Sequence, residues 1–243
     1  MAGPAKQRQK TEAVRQARDW RAPGLIAAAG LALVLLSAWW VGESVRDYRD
    51  DIALAGKSSD PTPVTFTVAG ETLTVPGNTV RFASTRSGGT VARVELLLRW
   101  PGLEGFTDAN ADIFRDSSSL APLVYVTIAP RETSLDMDAR LSSIYAGYFG
   151  GDPFAGPSGL TGRNMTADSG YAGEEVYFAR TGPVRFAARC MAEASAEVPA
   201  TCIRDVNVGR NLSMLYRFNR FYLGDWAAMD RELKAAALSF LGE

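Results

Sequence analysis

The sequence predicts a single N-terminal transmembrane helix followed by one extracytoplasmic α+β domain, which consists mainly of antiparallel strands with two amphipathic helices. Two observations predict this fold class. An uncharged apolar run of membrane-spanning length lies near the N-terminus, and much of the remaining chain alternates apolar with polar residues at the period of half-buried strands. The chain therefore divides into a basic cytoplasmic tail, a transmembrane helix, a juxtamembrane linker and an extracytoplasmic domain, at 1–21, 22–42, 43–63 and 64–243.

Residues 22–42, APGLIAAAGLALVLLSAWWVG, contain no charged side chain. As a helix this run is about 31 Å long, which matches the hydrocarbon thickness of a bilayer. The run is longer than the apolar region of a signal peptide, and no A-x-A cleavage site follows it. We therefore interpret it as an uncleaved signal anchor that makes the protein bitopic.

The charges around the run predict its orientation. Residues 1–21 hold six basic and two acidic side chains, whereas the charges after the run are mixed, so the N-terminus is expected in the cytoplasm and the domain outside. Trp39 and Trp40 are then expected to anchor the outer interface.

Arginine outnumbers lysine 22 to 4, and alanine and glycine are abundant, which indicates a GC-rich bacterial genome. We therefore expect a bacterial inner-membrane protein with a periplasmic domain.

Three small residues, Gly24, Ala28 and Ala32, form a small-xxx-small row along the span. Such a row lets two transmembrane helices approach closely and would support a homodimer. Alanine-rich spans also produce such rows by chance, and we favour this second interpretation.

Period-2 alternation then predicts half-buried strands at 65–68, 70–77 and 93–100, and the continuous apolar run 123–128 is typical of a central strand. In the second half, strands are predicted at 174–179, 184–190, 202–208 and 212–223. Helical spacing predicts a helix over 133–149, begun by Thr133 and Asp136, and a C-terminal helix over 225–241, capped by Asp225. The glycine-rich stretch 147–162 is predicted to connect the two halves. Both halves run from strands to a helix, so a pseudo-duplication is an open interpretation.

The only two cysteines, Cys190 and Cys202, are predicted to lie on the same face at the base of a long hairpin loop. An exported compartment would oxidise this pair, and closing a loop of about 13 residues stabilises the fold by roughly 3 kcal/mol. The spacing excludes a C-x-x-C redox site. A zinc site would need two further ligands, which histidine cannot supply.

Composition and motifs favour a protein without catalytic, cofactor or metal sites. Histidine is absent, which excludes Ser-His-Asp and Cys-His catalysis and histidine metal sites. Residues 43–243 hold 20 basic and 25 acidic side chains, a balance that argues against nucleic acid as a partner.

Two groups of side chains resemble ligand or catalytic sites but match no pattern completely. Asp108, Asn110 and Asp112 match the first alternating ligands of a calcium loop, but Ile113 replaces its glycine and Ser119 its glutamate, so we predict a polar loop or helix start. The other group contains two kinds of candidate catalytic residue. Carboxylates could form a glycosidase-like pair, but nothing in the sequence fixes the distance between them. Lysines could form a serine–lysine dyad. These residues are Asp168, Glu174, Glu175, Asp205, Lys57 and Lys234.

Arginines are abundant in the strand-rich second half, where they offer a protein interface both contact area and directed hydrogen bonds. The alternative, which we weigh equally, is that they simply cover the solvated face of a sheet. These arginines are Arg180, Arg185, Arg189, Arg204, Arg217 and Arg220.

The segments FTVAGETLTVP, LLLRWPGLEG and TCIRDVNVG resemble those of uncharacterised proteobacterial single-span inner-membrane proteins with an exported domain. The resemblance covers much of the domain, its motifs are not specific, and it implies no known activity.

We carry three functional hypotheses forward. The leading one is a non-enzymatic envelope protein whose exported domain binds another protein or serves in assembly. The second is a ligand-binding sensory module that works through a partner, which co-purification with a kinase or transporter would support. The third is a carboxylate-dependent cell-wall enzyme, which loss of activity on mutating one acid would support.

Overall fold

The computed structural model describes the backbone of residues 21–116, 120–133, 135–180, 185–192 and 200–243. The chain divides into two compact units, Met1–Ala53 and Leu54–Glu243. The predicted cytoplasmic tail, apart from Arg21, lies outside the described residues, as does the tip of the loop between the cysteines.

Helix α1, Arg21–Leu54, contains the predicted span and continues through the first part of the predicted linker. Within it, Ala28–Val45 is long enough and apolar enough to cross a membrane, and its side chains are exposed. Trp39 and Trp40 are both 66% exposed at the end of the apolar run. The described part of the chain thus contains one N-terminal apolar helix of membrane-spanning length.

The second unit is dominated by one eight-stranded sheet in which all neighbours are antiparallel. Its strands, in chain order from β4 to β11, are Val94–Arg99, Leu123–Pro130, Phe149–Ala155, Leu160–Met165, Glu174–Ala179, Ala187–Met191, Thr201–Val208 and Leu212–Asn219. Their order across the sheet is β4-β5-β11-β10-β9-β8-β7-β6. Strand β5, from the first half of the domain, pairs with β11, from the second, so both halves contribute to one sheet.

A small second sheet precedes the large one in the chain. Strands β1 (Pro63–Val68) and β2 (Glu71–Pro76) form a hairpin, and β3 (Gly89–Thr90) pairs in parallel with β1. The carboxylate of Glu71 accepts hydrogen bonds from the backbone N–H groups of Arg210 and Asn211, at 2.9 and 2.5 Å. Glu71 therefore ties the small sheet to the turn between β10 and β11.

The main core lies between one face of the large sheet, the small sheet and the C-terminal helix. Alternate residues of β10 and β11 face this core, as the period-2 pattern predicts. The C-terminal helix, Trp226–Leu241, buries Met229, Leu233 and Ala237 against it. These observations confirm a mainly antiparallel domain with accompanying helices.

Three predicted elements differ in extent. The stretch 147–162 is not a plain connector, because it contains β6 and the start of β7, which pair as a hairpin. The helix predicted over 133–149 is α-helical only over Met137–Ser143 and continues as a 3₁₀ turn, Tyr145–Tyr148. The strand predicted over 212–223 ends at Asn219, where another 3₁₀ segment begins.

The described α-helices are therefore α1 (Arg21–Leu54), α2 (Ala111–Arg115), α3 (Met137–Ser143) and α4 (Trp226–Leu241). The predicted capping box placed Thr133 at the start of the helix, whereas in the structure Asp136 is the N-cap of α3 and accepts a hydrogen bond from the N–H of Ala139. Asp225 occupies the N-cap position of α4, but its carboxylate instead accepts a hydrogen bond from the indole N–H of Trp100 at 2.9 Å.

The predicted disulfide between Cys190 and Cys202 is present. The two residues are directly paired across β9 and β10, with their Cα atoms 4.0 Å apart, and both are fully buried. This pairing confirms the predicted hairpin base, while residue 184 and residues 193–199 of the predicted strand and loop lie outside the described residues.

Candidate binding groove

The face of the large sheet opposite the main core forms a groove. Strand register brings five side chains of this face into one row across β5, β11, β10, β9 and β8. From β5 to β8 these are Tyr125, Arg217, Ile203, Arg189 and Val176.

An apolar strip runs along the floor of the groove. Leu215, which pairs with Thr127, is 37% exposed, and Tyr125 is 39% exposed. Ile203 is half-buried beside them. An exposed aliphatic and aromatic strip on the open face of a sheet is the kind of surface that binding partners cover.

Two adjoining cavities of about 520 and 720 Å³ make up the groove. Both are lined by Glu95, Thr127, Arg189, Ile203 and Leu215, so the two cavities are parts of one surface.

Different elements wall the two ends of this surface. Arg81 and Arg217 belong to the larger cavity, whereas Tyr145, Tyr171 and Arg140 of α3 belong to the smaller one.

Ion pairs fix most charges around the groove. Glu95 binds two arginines, Arg93 at 2.6 Å and Arg81 at 3.6 Å. Arg189 pairs with Glu174 across β8 and β9. These charged side chains on the walls are therefore held by one another.

Asp205, on β10, is a groove acid with a shifted pKa. Burial raises the pKa of its carboxyl, and the ion pair with Arg140 opposes this rise without cancelling it. Arg140 thereby connects α3 to the floor of the groove.

The side chain of Arg217 is exposed, and it forms no ion pair or hydrogen bond with any of the residues that the structure describes. Arg217 lies directly opposite Tyr125 in the β5–β11 register. The guanidinium of Arg81 lies 5.1 Å from the centre of the same tyrosine ring and 4.8 Å from that of Phe82. Two arginines therefore flank Tyr125 at one end of the groove.

Arg204 does not belong to an exposed interface, contrary to the sequence-based expectation, because it is fully buried. Its guanidinium binds both carboxylate oxygens of Asp138, at 2.6 and 2.9 Å, and its Nε donates to Asp230 at 2.9 Å. Burial alone would lower the pKa of Arg204, but the hydrogen bonds to Asp138 and the charges of both acids outweigh it and raise that pKa. Arg204 thus connects α3 and α4 through β10.

Arg204 lies where the pairing of two strands is short. The pairing of β9 with β10 is limited to Cys190–Cys202 and Arg189–Ile203, and α3 contacts both strands. Arg204 therefore positions the helix that walls one end of the groove.

The remaining predicted arginines have different surroundings. Arg189 and Arg217 line the groove, while Arg180 and Arg185 are exposed outside the set of residues that line it. Arg220 pairs with Glu175 at 2.5 Å and donates to the hydroxyl of Tyr177 at 2.6 Å. Two of the six predicted arginines are thus brought together in the groove.

The calcium-like segment forms a helix start. The side chain of Thr107 accepts a hydrogen bond from the N–H of Asn110, whose own side chain accepts from the N–H of Thr107. Asp112 pairs with Arg115, and Ser119 lies outside the described residues. Across the described ranges, no group of three or more acidic or cysteine side chains is arranged to hold a metal ion.

The acids and lysines considered for catalysis are dispersed. Glu174 and Asp205 lie in the groove, each paired with an arginine, whereas Glu175 pairs with Arg220 elsewhere. Lys234 donates to Asp230 at 2.8 Å on α4. Asp168 lies in a separate 3₁₀ turn, and Lys57 follows the end of α1.

Sequence reasoning missed the contribution of the first half of the domain to the groove. Arg81, Tyr125 and Arg140 come from that half and line the groove beside residues of the second half. The alternation along β4 places Glu95 on the face opposite the core, and this was the sequence feature that could have indicated a contribution from the first half. Only the pairing of β5 with β11 brings these residues together.

Comparisons with known proteins add information about the fold. No protein-family model matches the chain, and no curated protein matches it. An immunity protein of the Stenotrophomonas maltophilia type IV secretion system aligns with a TM-score of 0.52 and 16% identity, over 74% of this chain and 93% of that one. The Neisseria meningitidis iron-regulated outer membrane lipoprotein FrpD aligns with a TM-score of 0.50 and 11% identity, over 78% and 99%. At these identities the likeness shows a similar fold.

Proposed function

We propose that this chain is a membrane-anchored envelope protein whose exported domain binds another protein and catalyses no reaction. The observation that carries the proposal is the groove, where an exposed apolar strip is bordered by arginines. Arginine and tyrosine are favoured at protein interfaces because they combine contact area with directed hydrogen bonds. Arg217 and Tyr125 provide this combination side by side.

The cellular setting is supported by two features of the chain. Helix α1 has the length and composition of a membrane span, and the buried disulfide suits an oxidising, exported compartment. The basic tail favours a cytoplasmic N-terminus. We therefore place the anchor in the bacterial inner membrane and the domain in the periplasm.

The similar folds agree with a binding role at the cell envelope. One of them is an immunity protein and the other an outer membrane lipoprotein. This support is an analogy of fold, whereas the residues of the groove carry the proposal itself.

A ligand-binding sensory module is the second candidate. The two cavities, of about 520 and 720 Å³, fall within the range of small-molecule sites. Such sites are mostly apolar and enclose their ligand, whereas this groove is wide and bordered by ion pairs. These features favour a protein as the occupant.

Site-specific photocrosslinking in intact cells tests the proposed function. A photoreactive residue replaces Leu215 in the groove or, as the matched control, Leu238 on α4, which is 41% exposed. We expect one discrete protein adduct from position 215 and none of the same mass from position 238. The same adduct from both positions, or no adduct from 215, would contradict a binding groove.

A reporter fusion tests the orientation separately. A reporter that is active only outside the cytoplasm, fused after Glu243, is expected to be active. Activity of a cytoplasm-only reporter at the same position would reverse the proposed topology.

A further inference from the structure

Resting on the proposed function, we propose that the end of the groove formed by Arg81, Tyr125 and Arg217 binds an acidic side chain on an extended segment of the partner protein. We call these three residues the arginine–tyrosine end. The inference names the chemistry of the partner, which the proposed function leaves open.

The geometry of the arginine–tyrosine end is set by backbone pairing. Arg217 is directly opposite Tyr125 across β11 and β5. Arg81 is held beside β4, because its N–H donates to the carbonyl of Glu95 at 2.9 Å. The backbone positions of both arginines are therefore fixed by the sheet before any partner binds.

The charges at this end are unbalanced. Glu95 alone serves both Arg81 and Arg93, and Arg217 has no acidic partner among the described residues. By contrast, Arg189 and Arg140 each have their own carboxylate. An incoming carboxylate would supply the missing negative charge, and guanidinium groups bind carboxylates with strong, directional hydrogen bonds.

The neighbouring floor indicates a protein segment rather than a free anion or a lipid headgroup. Leu215 and Ile203 lie next to Arg217 in the groove and offer apolar contacts that a small anion cannot use. From β4 to β9 the groove crosses four strand spacings, about 19 Å. An extended chain of about six residues spans this distance.

The test uses full-length protein in nanodiscs of neutral lipid and a displayed library of random octapeptides as the probe. Parallel selections use the unmodified protein, Arg217→Gln, Arg81→Gln and the control Arg180→Gln, whose arginine is exposed outside the groove. We expect the unmodified and control proteins to enrich peptides with Asp or Glu at a fixed distance from an aliphatic residue. We expect Arg217→Gln and Arg81→Gln to lose the acidic preference and retain the aliphatic one.

Affinity measurements on an enriched peptide complete the test. Replacing its acid by the matching amide should weaken binding to the unmodified protein about tenfold and binding to Arg217→Gln much less, because the charge-assisted hydrogen bond is then already absent. Equal losses for both proteins would overturn the inference. So would a selection without an acidic preference, or without any enriched peptide.

Two further arms distinguish other sources of negative charge. Inorganic phosphate or succinate that displaces the peptide at equal affinity would identify a small-anion site. Binding of the unmodified protein to anionic vesicles, lost in Arg217→Gln, would identify a lipid site. Either result overturns the inference. A discrete adduct from position 215 in the unmodified protein, together with a selection that shows no acidic preference, would leave the proposed function standing while this inference fails.

Discussion

At the scale of single residues, the buried cluster around Arg204 holds the domain together behind the groove. Asp230, only 2% exposed, accepts hydrogen bonds from Arg204 and from the hydroxyl of Tyr216, both at 2.9 Å. Lys234 donates to its other oxygen at 2.8 Å. Removal of one member of such a cluster leaves a buried charge without its partner.

We therefore predict that Asp230→Ala destabilises the protein by about 3–5 kcal/mol, measured by urea unfolding, because Arg204 stays buried while losing one of its two carboxylates. The control is Arg231→Ala, at the next position of α4, where the side chain is 71% exposed. It should change the free energy of unfolding by about 0.5 kcal/mol or less. Equal effects of the two changes would contradict the role assigned to the cluster.

The pH dependence of stability gives a second prediction at this scale. Burial alone would raise the pKa of Asp230, but the charge of Arg204 and the hydrogen bond from Lys234 outweigh it and lower that pKa. Its stabilisation is therefore present above the unfolded pKa of about 3.9 and is lost as the pH falls through the lower folded value. Asp230→Asn should flatten the acid limb of the stability profile below about pH 3.9.

Asp205 is expected to have the opposite effect on the pH dependence of stability. Because burial raises the pKa of its carboxyl, the folded protein holds this proton more tightly than the unfolded chain does. Stability should therefore fall as the pH rises from about 3.9 through the folded pKa, and Asp205→Asn should lack that fall. We expect Asp230→Asn to change the stability below about pH 3.9 and Asp205→Asn to change it above that pH. If both variants change the stability in the same pH range, the opposite pKa shifts assigned to the two acids are wrong.

The sequence contained the information needed to place Arg204. Cys202, Arg204 and Val206 have the same parity on β10, so period-2 alternation places the arginine on the core face. Its abundance of hydrogen-bond donors suggested an interface instead. The acids that satisfy it, on α3 and α4, are distant in the sequence and are brought to it only by the fold.

At the scale of elements, the disulfide closes the β9–β10 hairpin at its base. We predict that the double change Cys190→Ser and Cys202→Ser lowers the free energy of unfolding by roughly 3 kcal/mol, because the unfolded chain regains the entropy of an open loop. Thermal unfolding with and without reductant provides the measurement. The unmodified protein should lose stability on reduction, and the variant should be insensitive to reductant.

Local periodicity in the sequence was enough to predict whether most segments are strands or helices. Several of their ends could not be predicted, because they depend on tertiary structure. Strand β10 and helix α4 have clear patterns and lie close to the predicted ranges. The end of α3 was harder to predict, because apolar residues continue to Tyr148 while the backbone of Ile144 leaves the helical region. The hairpin of β6 and β7 was missed because glycine and proline obscure the alternation in β6.

At the scale of the whole molecule, the sequence predicted an apolar anchoring helix and a mainly antiparallel domain, but it did not predict the groove. The groove depends on the pairing of β5 with β11, which joins segments distant in the chain and places Tyr125 beside Arg217. No local pattern encodes that register. The function proposed for the domain therefore depends on a surface visible only in the folded structure.

The central claim, that the exported domain holds an acidic segment of a protein partner in this groove, is tested most directly by charge reversal. The measurement is the yield of the adduct from position 215 in Arg217→Glu compared with Arg180→Glu, with the melting temperature of both variants recorded. We predict that Arg217→Glu abolishes the adduct while Arg180→Glu retains it, and that both melt like the unmodified protein. An adduct of full yield in a folded Arg217→Glu protein would contradict the account.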